Sequence, residues 1–192
     1  MFTSTAAQRG ITLIEQIVFV VIVSVGVIGL VSVMNPAIRA SADPMVTKQF
    51  VAIAESLLNE ILHQPFTWCD PDDGNASTAQ SYAGCASNAQ NAMGPTPAGE
   101  TRDGSSGSFF DNVRDYAGFA MDDVADPAGG SVITGYRAEV AMAEAGATFG
   151  LAADAALLIT VTVCRTTAPS SACAGRDSFA LTGYRFRYAP HF

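Results

Sequence analysis

The chain has 192 residues, 49% of them hydrophobic, and a formal net charge of −8 at pH 7. The excess of acid argues against nucleic acid as a partner, because phosphate binding needs a basic surface. The sequence contains no Gly-x-Ser-x-Gly, no glycine-rich phosphate loop with a lysine and no His-Glu-x-x-His, which are motifs of common enzyme classes. We therefore expect a protein that is not an enzyme and has no cofactor.

An apolar segment near the N-terminus comes first in chain order. Residues 11–34 are 24 residues with one formal charge, that of Glu15. As a helix they extend about 36 Å, enough to cross the hydrocarbon core of a bilayer. A span in lipid has to be helical, because lipid offers no partners to an open strand. The pattern predicts a transmembrane helix over residues 11–34.

Glu15 is an unusual residue for such a helix. A carboxylate in a lipid-spanning segment is costly unless it finds a partner or loses its charge, so Glu15 is a candidate functional group. The alternative is that it lies shallow enough to reach the headgroups and has no role. Arg9 and Gly10 precede the apolar run, which is the outline of a processing signal. Cleavage after Gly10 would remove a leader, residues 1–10, and keep the helix.

The segment Gly-Ile-Thr-Leu-Ile-Glu at residues 10–15 resembles the prepilin signal of the type IV pilin and pseudopilin family. Its one departure is Ile11, where Phe is commonest in the family. The resemblance implies that a prepilin peptidase would cut between Gly10 and Ile11 and methylate the new amine of Ile11. It implies an assembly role for Thr12 and Glu15, with Glu15 opposite the amine of a neighbouring subunit's first residue. Opposite charges that meet in a low-dielectric helix bundle offset each other's desolvation cost.

The flanking charge predicts the orientation of the chain. The leader carries Arg9 and a free amine, so the positive-inside rule leaves the N-terminus in the cytoplasm. We expect a single pass through a bacterial inner membrane with the C-terminal domain in the periplasm, and later a place in a pilus at the cell surface. The expected partners are other pilin subunits through the N-terminal helix, the prepilin peptidase and the inner membrane, and no nucleic acid.

The four cysteines lie as two local pairs, Cys69 with Cys85 and Cys164 with Cys173. An even number in an exported domain is typical of disulfides. Three connectivities are open, and we favour the two local pairs because short loops close most easily. A zinc site is the alternative, but there is no Cys-x-x-Cys and both histidines lie far from the cysteines in sequence. We predict no metal.

A second helix is predicted in the segment 35–65. Pro36 should kink or break the first helix, and Asp-Pro at residues 43–44 is a restart signal. In residues 45–63 apolar side chains recur at spacings of three and four, which predicts an amphipathic helix that ends before Pro65. Its apolar stripe consists of Val46, Phe50, Ile53, Ala54, Leu57, Leu58, Ile61 and Leu62. We expect this stripe to pack on a sheet.

Residues 66–130 are predicted to be a variable loop region with a disulfide near its start, because glycine, serine and proline crowd them without periodicity. The segment Asp-Pro-Asp-Asp-Gly-Asn at residues 70–75 has some likeness to a calcium loop, and some pseudopilins bind calcium in loops. However, Pro71 interrupts the spacing and no bidentate glutamate follows, so we predict no calcium site. The ten acidic residues between positions 70 and 126 are interpreted as a solvated face. Residues 110–116 are predicted to be a turn in which Asp and Asn tie the backbone.

Residues 131–192 are predicted to be an antiparallel meander. Three stretches, 136–142, 157–163 and 179–188, alternate apolar residues with polar or smaller ones at period two. Gly183 is interpreted as a bulge or bend, after which Tyr184 and Phe186 would face the core. On that interpretation the two arginines at positions 185 and 187 are exposed. They would then be either solvated or in contact with an acidic neighbouring subunit.

The predicted fold is therefore α+β and pilin-like: a long N-terminal helix packed on a C-terminal antiparallel sheet. Three patterns are similar to minor pilins of the mannose-sensitive haemagglutinin pilus system. They are Ser-Ala-Asp-Pro and Leu-Leu-Asn-Glu-Ile-Leu at residues 41–44 and 57–62, the segment 110–116, and Leu-Ile-Thr-Val-Thr-Val at 158–163 ahead of Tyr-Arg-x-x-Tyr at 184–188. The resemblance implies a minor pilin that enters or primes a filament. The alternatives are a minor pseudopilin of a type II secretion system and a tip adhesin that binds a surface ligand through its acidic loop region.

Overall fold

The computed structural model describes residues 12–128, 130–166, 172–175 and 177–187, without the side chains of residues 33–43. The chain forms two compact units, Met1–Val46 and Thr47–Phe192, and we treat each by itself.

A single helix, α1, runs over Leu13–His63, 51 residues in all. Its end agrees with the stop predicted before Pro65. The helix is continuous through Pro36 and residues 43–44, so the predicted break and restart are wrong, whereas the kink predicted as the other possibility at Pro36 stays a prediction. A proline removes one N–H donor and crowds the preceding turn. Helix-forming segments flank Pro36 on both sides, and the loss of one hydrogen bond does not end the helix there.

The second unit contains one antiparallel sheet with the strand order β1-β2-β3-β4. The strands are β1 (Ala120–Ala125), β2 (Val132–Glu144), β3 (Ala156–Arg165) and β4 (Ser178–Phe186). Together with α1 this sheet confirms the α+β class, and the three predicted strands are present as a meander. Short 3₁₀ helices lie at Tyr82–Gly84, Val113–Tyr116, Gly146–Phe149 and Ala153–Ala155.

Strand β1 was not predicted. Its pairing with β2 is irregular, because the register shifts between Asp122 and Val124. Asp123 lies at this shift with a φ of 56°, and its carboxylate accepts a hydrogen bond from the Gly135 backbone N–H at 2.8 Å. Aspartate is one of the few residues that tolerate this backbone conformation. The bulge hides the period-two pattern that would reveal the strand.

The core of the second unit lies between the C-terminal part of α1 and one face of the sheet. Phe50 packs edge-to-face on Tyr136, with ring centroids 5.8 Å apart, and the Tyr136 hydroxyl donates to the side-chain oxygen of Gln49. The predicted stripe is buried at six of its eight positions: Phe50, Ile53, Ala54, Leu57, Leu58 and Ile61. On the sheet the buried side chains include Ala138, Val140, Leu157, Ile159, Val161 and Val163. Burial of each valine, leucine, isoleucine or phenylalanine among them contributes about 1.5–3 kcal/mol to the free energy of folding.

The interpretation of β4 needs a correction. Gly183 pairs regularly with Ile159, so there is no bulge there. Instead the strand approaches α1 closely at this point, since a Cβ on Gly183 would lie 3.3 Å from both methyl carbons of Leu58. Without a bulge the alternation continues unshifted. Tyr184 and Phe186 therefore lie on the more exposed face.

The two arginines of β4 and its end consequently face inward. The Arg185 side chain donates to the Gln64 carbonyl at 3.0 Å. The Arg187 side chain is only 5% exposed and pairs with Asp154 at 3.1 Å. The predicted solvated arginine face is therefore wrong, because both guanidinium groups find partners within their own unit.

The segment between α1 and β1 is a loop, as predicted, but it is ordered by its own hydrogen bonds. Isolated bridges pair Cys69 with Ala89 and Thr101 with Phe109. The Asp73 carboxylate accepts backbone hydrogen bonds from the segment 86–88 at 2.8–2.9 Å. This loop carries most of the buried polar side chains of the unit: Asp70, Asp73, Gln90, Glu100, Asn112, Arg114 and Asp115.

Candidate functional site

The N-terminal signal lies partly outside the described residues, since Gly10 and Ile11 are not among them. Thr12 comes directly before α1. Its hydroxyl oxygen accepts a hydrogen bond from the Glu15 backbone N–H at 3.4 Å, and its carbonyl accepts one from the Gln16 N–H at 3.2 Å. Thr12 thereby partners donors of the first turn, which have no partner within a helix. Glu15 also lies in that turn, where the helix dipole favours a negative charge.

The apolar part of α1 presents its side chains to the surroundings. The span Leu13–Ser32 is long and apolar enough to cross a membrane, and none of it is buried within the chain. Its polar hydroxyls are satisfied internally, because Ser24 donates to the Val20 carbonyl at 2.7 Å and Ser32 to a carbonyl one turn before it at 2.8 Å. Exposed apolar surface of this extent is typical of a segment that contacts lipid or other apolar helices.

Glu15 is the single charged residue of that span. Among the described residues, its carboxylate accepts no hydrogen bond and forms no ion pair. A carboxylate on an otherwise apolar surface loses hydration wherever that surface is covered, so it then requires a cationic or hydrogen-bonding partner. Any such partner comes from outside the described part of this chain.

The second unit contains both disulfides that the spacing favoured. Cys69 is bonded to Cys85 and Cys164 to Cys173, with Cα–Cα distances of 5.4 and 5.5 Å. The first bridge closes the beginning of the loop, and the second links the end of β3 to the segment before β4. The zinc alternative is excluded for these four residues, because each sulfur is already bonded to another.

A buried cluster of acids lies beside the first disulfide. One side-chain oxygen from each of Asp70, Glu100 and Asp111 lies within 4.8 Å of the others. Asp70 is 0% exposed and Glu100 is 4% exposed, while Asp111 is half-buried. We call these three residues the carboxylate cluster.

Two backbone hydrogen bonds and the disulfide bring the cluster together. Asp70 follows Cys69, and its N–H donates to the Asn88 carbonyl at 2.9 Å. Glu100 precedes Thr101, whose carbonyl accepts a hydrogen bond from the Phe110 N–H at 3.1 Å. That contact places Asp111 beside Glu100. The disulfide and the two isolated β-bridges, Cys69 with Ala89 and Thr101 with Phe109, thus bring the three acids to the same part of the loop.

Each member of the carboxylate cluster has one buried oxygen without a hydrogen-bond partner. These atoms are Oδ2 of Asp70, Oε2 of Glu100 and Oδ1 of Asp111. None of the ion pairs among the described residues involves any of the three. A buried carboxylate oxygen without a partner is costly, and three at one place are unusual.

A fourth acid, Asp115, lies close to the cluster but is fully hydrogen-bonded. Its Oδ1 accepts from the Gln90 side chain at 2.8 Å, and its Oδ2 accepts from the Asn112 N–H at 2.7 Å. Asn112 in turn accepts from the Arg114 N–H at 3.1 Å, which completes a capping box around the 3₁₀ helix Val113–Tyr116. This confirms the predicted turn, in which Asp and Asn tie the backbone. Asp115 therefore acts on the cluster through its charge.

Burial and mutual repulsion both raise the pKa values of these acids. Burial, with the charges of Asp115 and Asp70, raises the pKa of Glu100 to about 7. Burial, with the charges of Asp70 and Asp115, raises the pKa of Asp111 to about 7. Burial is also the largest cause of the raised pKa values of Asp70 and Asp115. The site thus resists holding several negative charges without a compensating cation.

Sequence reasoning missed this cluster, and the interpretation of the acids as a solvated face is wrong for its members. Glu100 and Asp111 lie 30 and 41 residues after Asp70 (100 − 70 and 111 − 70), with no motif spacing between them. The one available signal was the excess of acid between residues 70 and 126. That excess could not show which members fold together.

No family model, no curated protein and no solved structure matches this chain.

Proposed function

We propose that the protein is a non-catalytic subunit of a type IV pilin-like filament, a minor pilin similar to those of the mannose-sensitive haemagglutinin system. The observation that carries the proposal is the prepilin-like signal at residues 10–15, which leads directly into the exposed apolar span Leu13–Ser32. The protein would first be anchored in the inner membrane by this span. It would then pass into a filament through the same surface.

The physical basis of assembly is the apolar surface of α1. Side chains such as Leu13 and Ile22 are 79% and 66% exposed. Lipid covers such a surface before assembly, and neighbouring apolar helices cover it afterwards, so transfer between the two environments costs little hydrophobic free energy. A helix of this kind supports a membrane-to-filament role better than a role in a soluble protein.

Glu15 supplies the specificity in this proposal. Removal of the leader would leave an amine on Ile11, and the Glu15 carboxylate has no partner among the described residues. An amine and a carboxylate that meet between apolar helices relieve each other's desolvation and define one axial offset. The α+β layout with an N-terminal apolar helix and an antiparallel sheet is compatible with a pilin-like subunit.

Mass spectrometry of the mature protein from its native host tests the proposal. We expect the first residue to be Ile11, with a methyl group on its amine. A mature protein that still begins at Met1, or that has lost the apolar span, would contradict it.

A second experiment tests the role of Glu15. In the Glu15→Gln variant we expect the fraction of protein in sheared filaments to fall at least tenfold while the amount in the membrane is unchanged. The matched control is Glu55→Gln, which removes an exposed carboxylate from the same helix in the other unit. Equal filament incorporation of the Glu15→Gln variant and the native protein would show that the carboxylate has no assembly role.

A further inference from the structure

We propose that the carboxylate cluster of Asp70, Glu100 and Asp111 binds a divalent cation with a preference for oxygen ligands, and that the ion is Ca²⁺. This site lies in the second unit and does not depend on the proposed filament function. The residues come from three separate points of the loop, so they do not form a linear calcium-binding motif.

The spacing of the oxygens suits one ion. Ca²⁺ binds oxygen at about 2.3–2.6 Å, so two of its ligands are at most about 5 Å apart. The three side-chain oxygens of the cluster lie within 4.8 Å of one another. One ion can therefore contact all three at once without rearrangement of the backbone.

The burial of the cluster points to a ligand. Asp70 and Glu100 are almost fully buried, and each has an oxygen with no partner, Oδ2 and Oε2 respectively. Asp111 contributes a third such oxygen. Among the described residues no lysine or arginine pairs with these carboxylates. A bound cation would compensate all three oxygens together and remove the cost of burying them without partners.

The donor set decides the class of ion. The cluster offers carboxylate oxygens and neither sulfur nor imidazole, which suits Ca²⁺ or Mg²⁺ and does not suit zinc or copper. Ca²⁺ accepts irregular geometry and six to eight ligands, whereas Mg²⁺ demands a near-ideal octahedron at about 2.0–2.1 Å. Three carboxylates from separate loop segments form an irregular set. Ca²⁺ is therefore the better match.

The surroundings hold the ligands and leave a route for water. The Ser108 hydroxyl donates to Oε1 of Glu100 at 3.2 Å, which leaves Oε2 available to the ion. The half-buried Asp111 connects the cluster with solvent, so water can complete the coordination. The neighbouring Asp115 carboxylate is held by hydrogen bonds from Gln90 and Asn112, so its oxygens are already partnered and it is not a ligand of the proposed ion.

Calcium titration of the full chain tests the proposal. The protein in detergent micelles is stripped with EGTA and transferred to metal-free buffer at pH 7.5. CaCl₂ is then added up to about 5 mM, above the range of about 10⁻⁴–10⁻³ M expected for extracellular calcium modules. We expect saturable binding heat in calorimetry and an increase in the thermal unfolding midpoint. MgCl₂ at the same ionic strength should produce less than half of that increase.

Variants assign the binding to the cluster. We expect Glu100→Gln and Asp70→Asn to weaken calcium binding at least tenfold, and Glu55→Gln, an exposed carboxylate on α1, to leave it unchanged. In metal-free buffer Glu100→Gln should unfold at the same temperature as the native protein or higher, because it removes one of several repelling charges. If the unfolding midpoint of Glu100→Gln is lower than that of the native protein, calcium binding is compared with Asp111→Asn instead, since Asp111 is only half-buried.

Three results would overturn the assignment. One is the absence of both binding heat and a midpoint shift at 5 mM CaCl₂, which would mean that the acids are compensated by protons. Another is an equal response to MgCl₂ and CaCl₂, which would indicate a general ionic effect. The third is native affinity in the folded cluster variants.

Discussion

The guanidinium of Arg187 stacks on the indole ring of Trp68, with its central carbon 3.7 Å from the ring centroid. The same group lies 4.4 Å from the Phe66 ring centroid and donates to the Tyr82 hydroxyl at 2.9 Å. It also pairs with Asp154 at 3.1 Å. One arginine just after β4 thus joins the sheet to the loop that carries the first disulfide and the carboxylate cluster.

Replacement of Arg187 should therefore destabilise the second unit. Arg187→Met leaves Asp154 without its cation and removes the cation–π contacts, for an expected loss of about 2–3 kcal/mol in the free energy of unfolding. Arg187→Lys keeps the charge but not the planar stacking, so its free energy of unfolding should lie between those of the native protein and Arg187→Met. Urea unfolding of the full chain in detergent measures both. Lys48→Met, at an exposed position, is the control, and an equal effect of Lys48→Met and Arg187→Met would contradict the prediction.

At Gly183, β4 approaches α1 closely. A Cβ there would lie 3.3 Å from both methyl carbons of the buried Leu58, so Gly183→Val should lower the free energy of unfolding by about 1–3 kcal/mol. The penalty should become smaller in a Leu58→Ala background, where the crowding is relieved. Ala180→Val adds volume at an exposed position of the same strand and serves as the control. An unchanged penalty in the Leu58→Ala background would show that the close approach is not its cause.

The parts of the fold that depend on local patterns were predictable. On β4, in contrast, the local pattern predicted the wrong face of the strand. The alternation in residues 157–163 and the stripe on α1 identified buried positions, because burial on one face imposes period two in strands and spacings of three and four in helices. On β4 the glycine made the pattern ambiguous, and the aromatic side chains of Tyr184 and Phe186 suggested a shift of face. The register is instead set by pairing with β3, and the inward arginines find partners supplied by distant segments.

The carboxylate cluster depends on contacts that no local pattern encodes. Asp70, Glu100 and Asp111 are brought together by a disulfide and by backbone bridges across a loop without periodicity. The spacing of the cysteines could predict the disulfide, because closure of a short loop has a small entropic cost. The bridge between Thr101 and Phe109 has no comparable sequence signature. The site could therefore be found only after the loop had been folded.

The stability of that loop should depend on pH through Asp73. Its carboxylate accepts backbone hydrogen bonds from Asn88, Ala86, Asn75 and Ser87, which hold its pKa well below the usual range. A lowered pKa in the folded state means that the carboxylate stabilises the fold at neutral pH. This contribution is lost as the pH falls below about 4, the ordinary pKa of aspartate, towards the folded value.

We therefore expect Asp73→Asn to be less stable than the native protein at pH 7, with a difference that shrinks steadily between pH 4 and pH 2. Urea unfolding at pH 7, 5, 3 and 2 measures the difference. Asp177→Asn, at an exposed position before β4, should differ little from the native protein across the range. A difference for Asp73→Asn that stays constant down to pH 2 would mean that the carboxylate charge does not organise the loop.

The ion pair between Glu60 and Arg102 anchors the loop to α1 and should show energetic coupling. Arg102 contacts both carboxylate oxygens of Glu60, at 2.7 and 2.6 Å, and the side chains are only 9% and 16% exposed for Arg102 and Glu60. Glu60→Gln and Arg102→Met each leave a largely buried charge without its partner, so each should cost about 2–3 kcal/mol. The double variant removes both charges and should cost less than the sum of the two by about 1–3 kcal/mol. Urea unfolding of the four proteins measures this coupling. Additivity within about 0.5 kcal/mol would show that the pair contributes no more than an exposed surface pair.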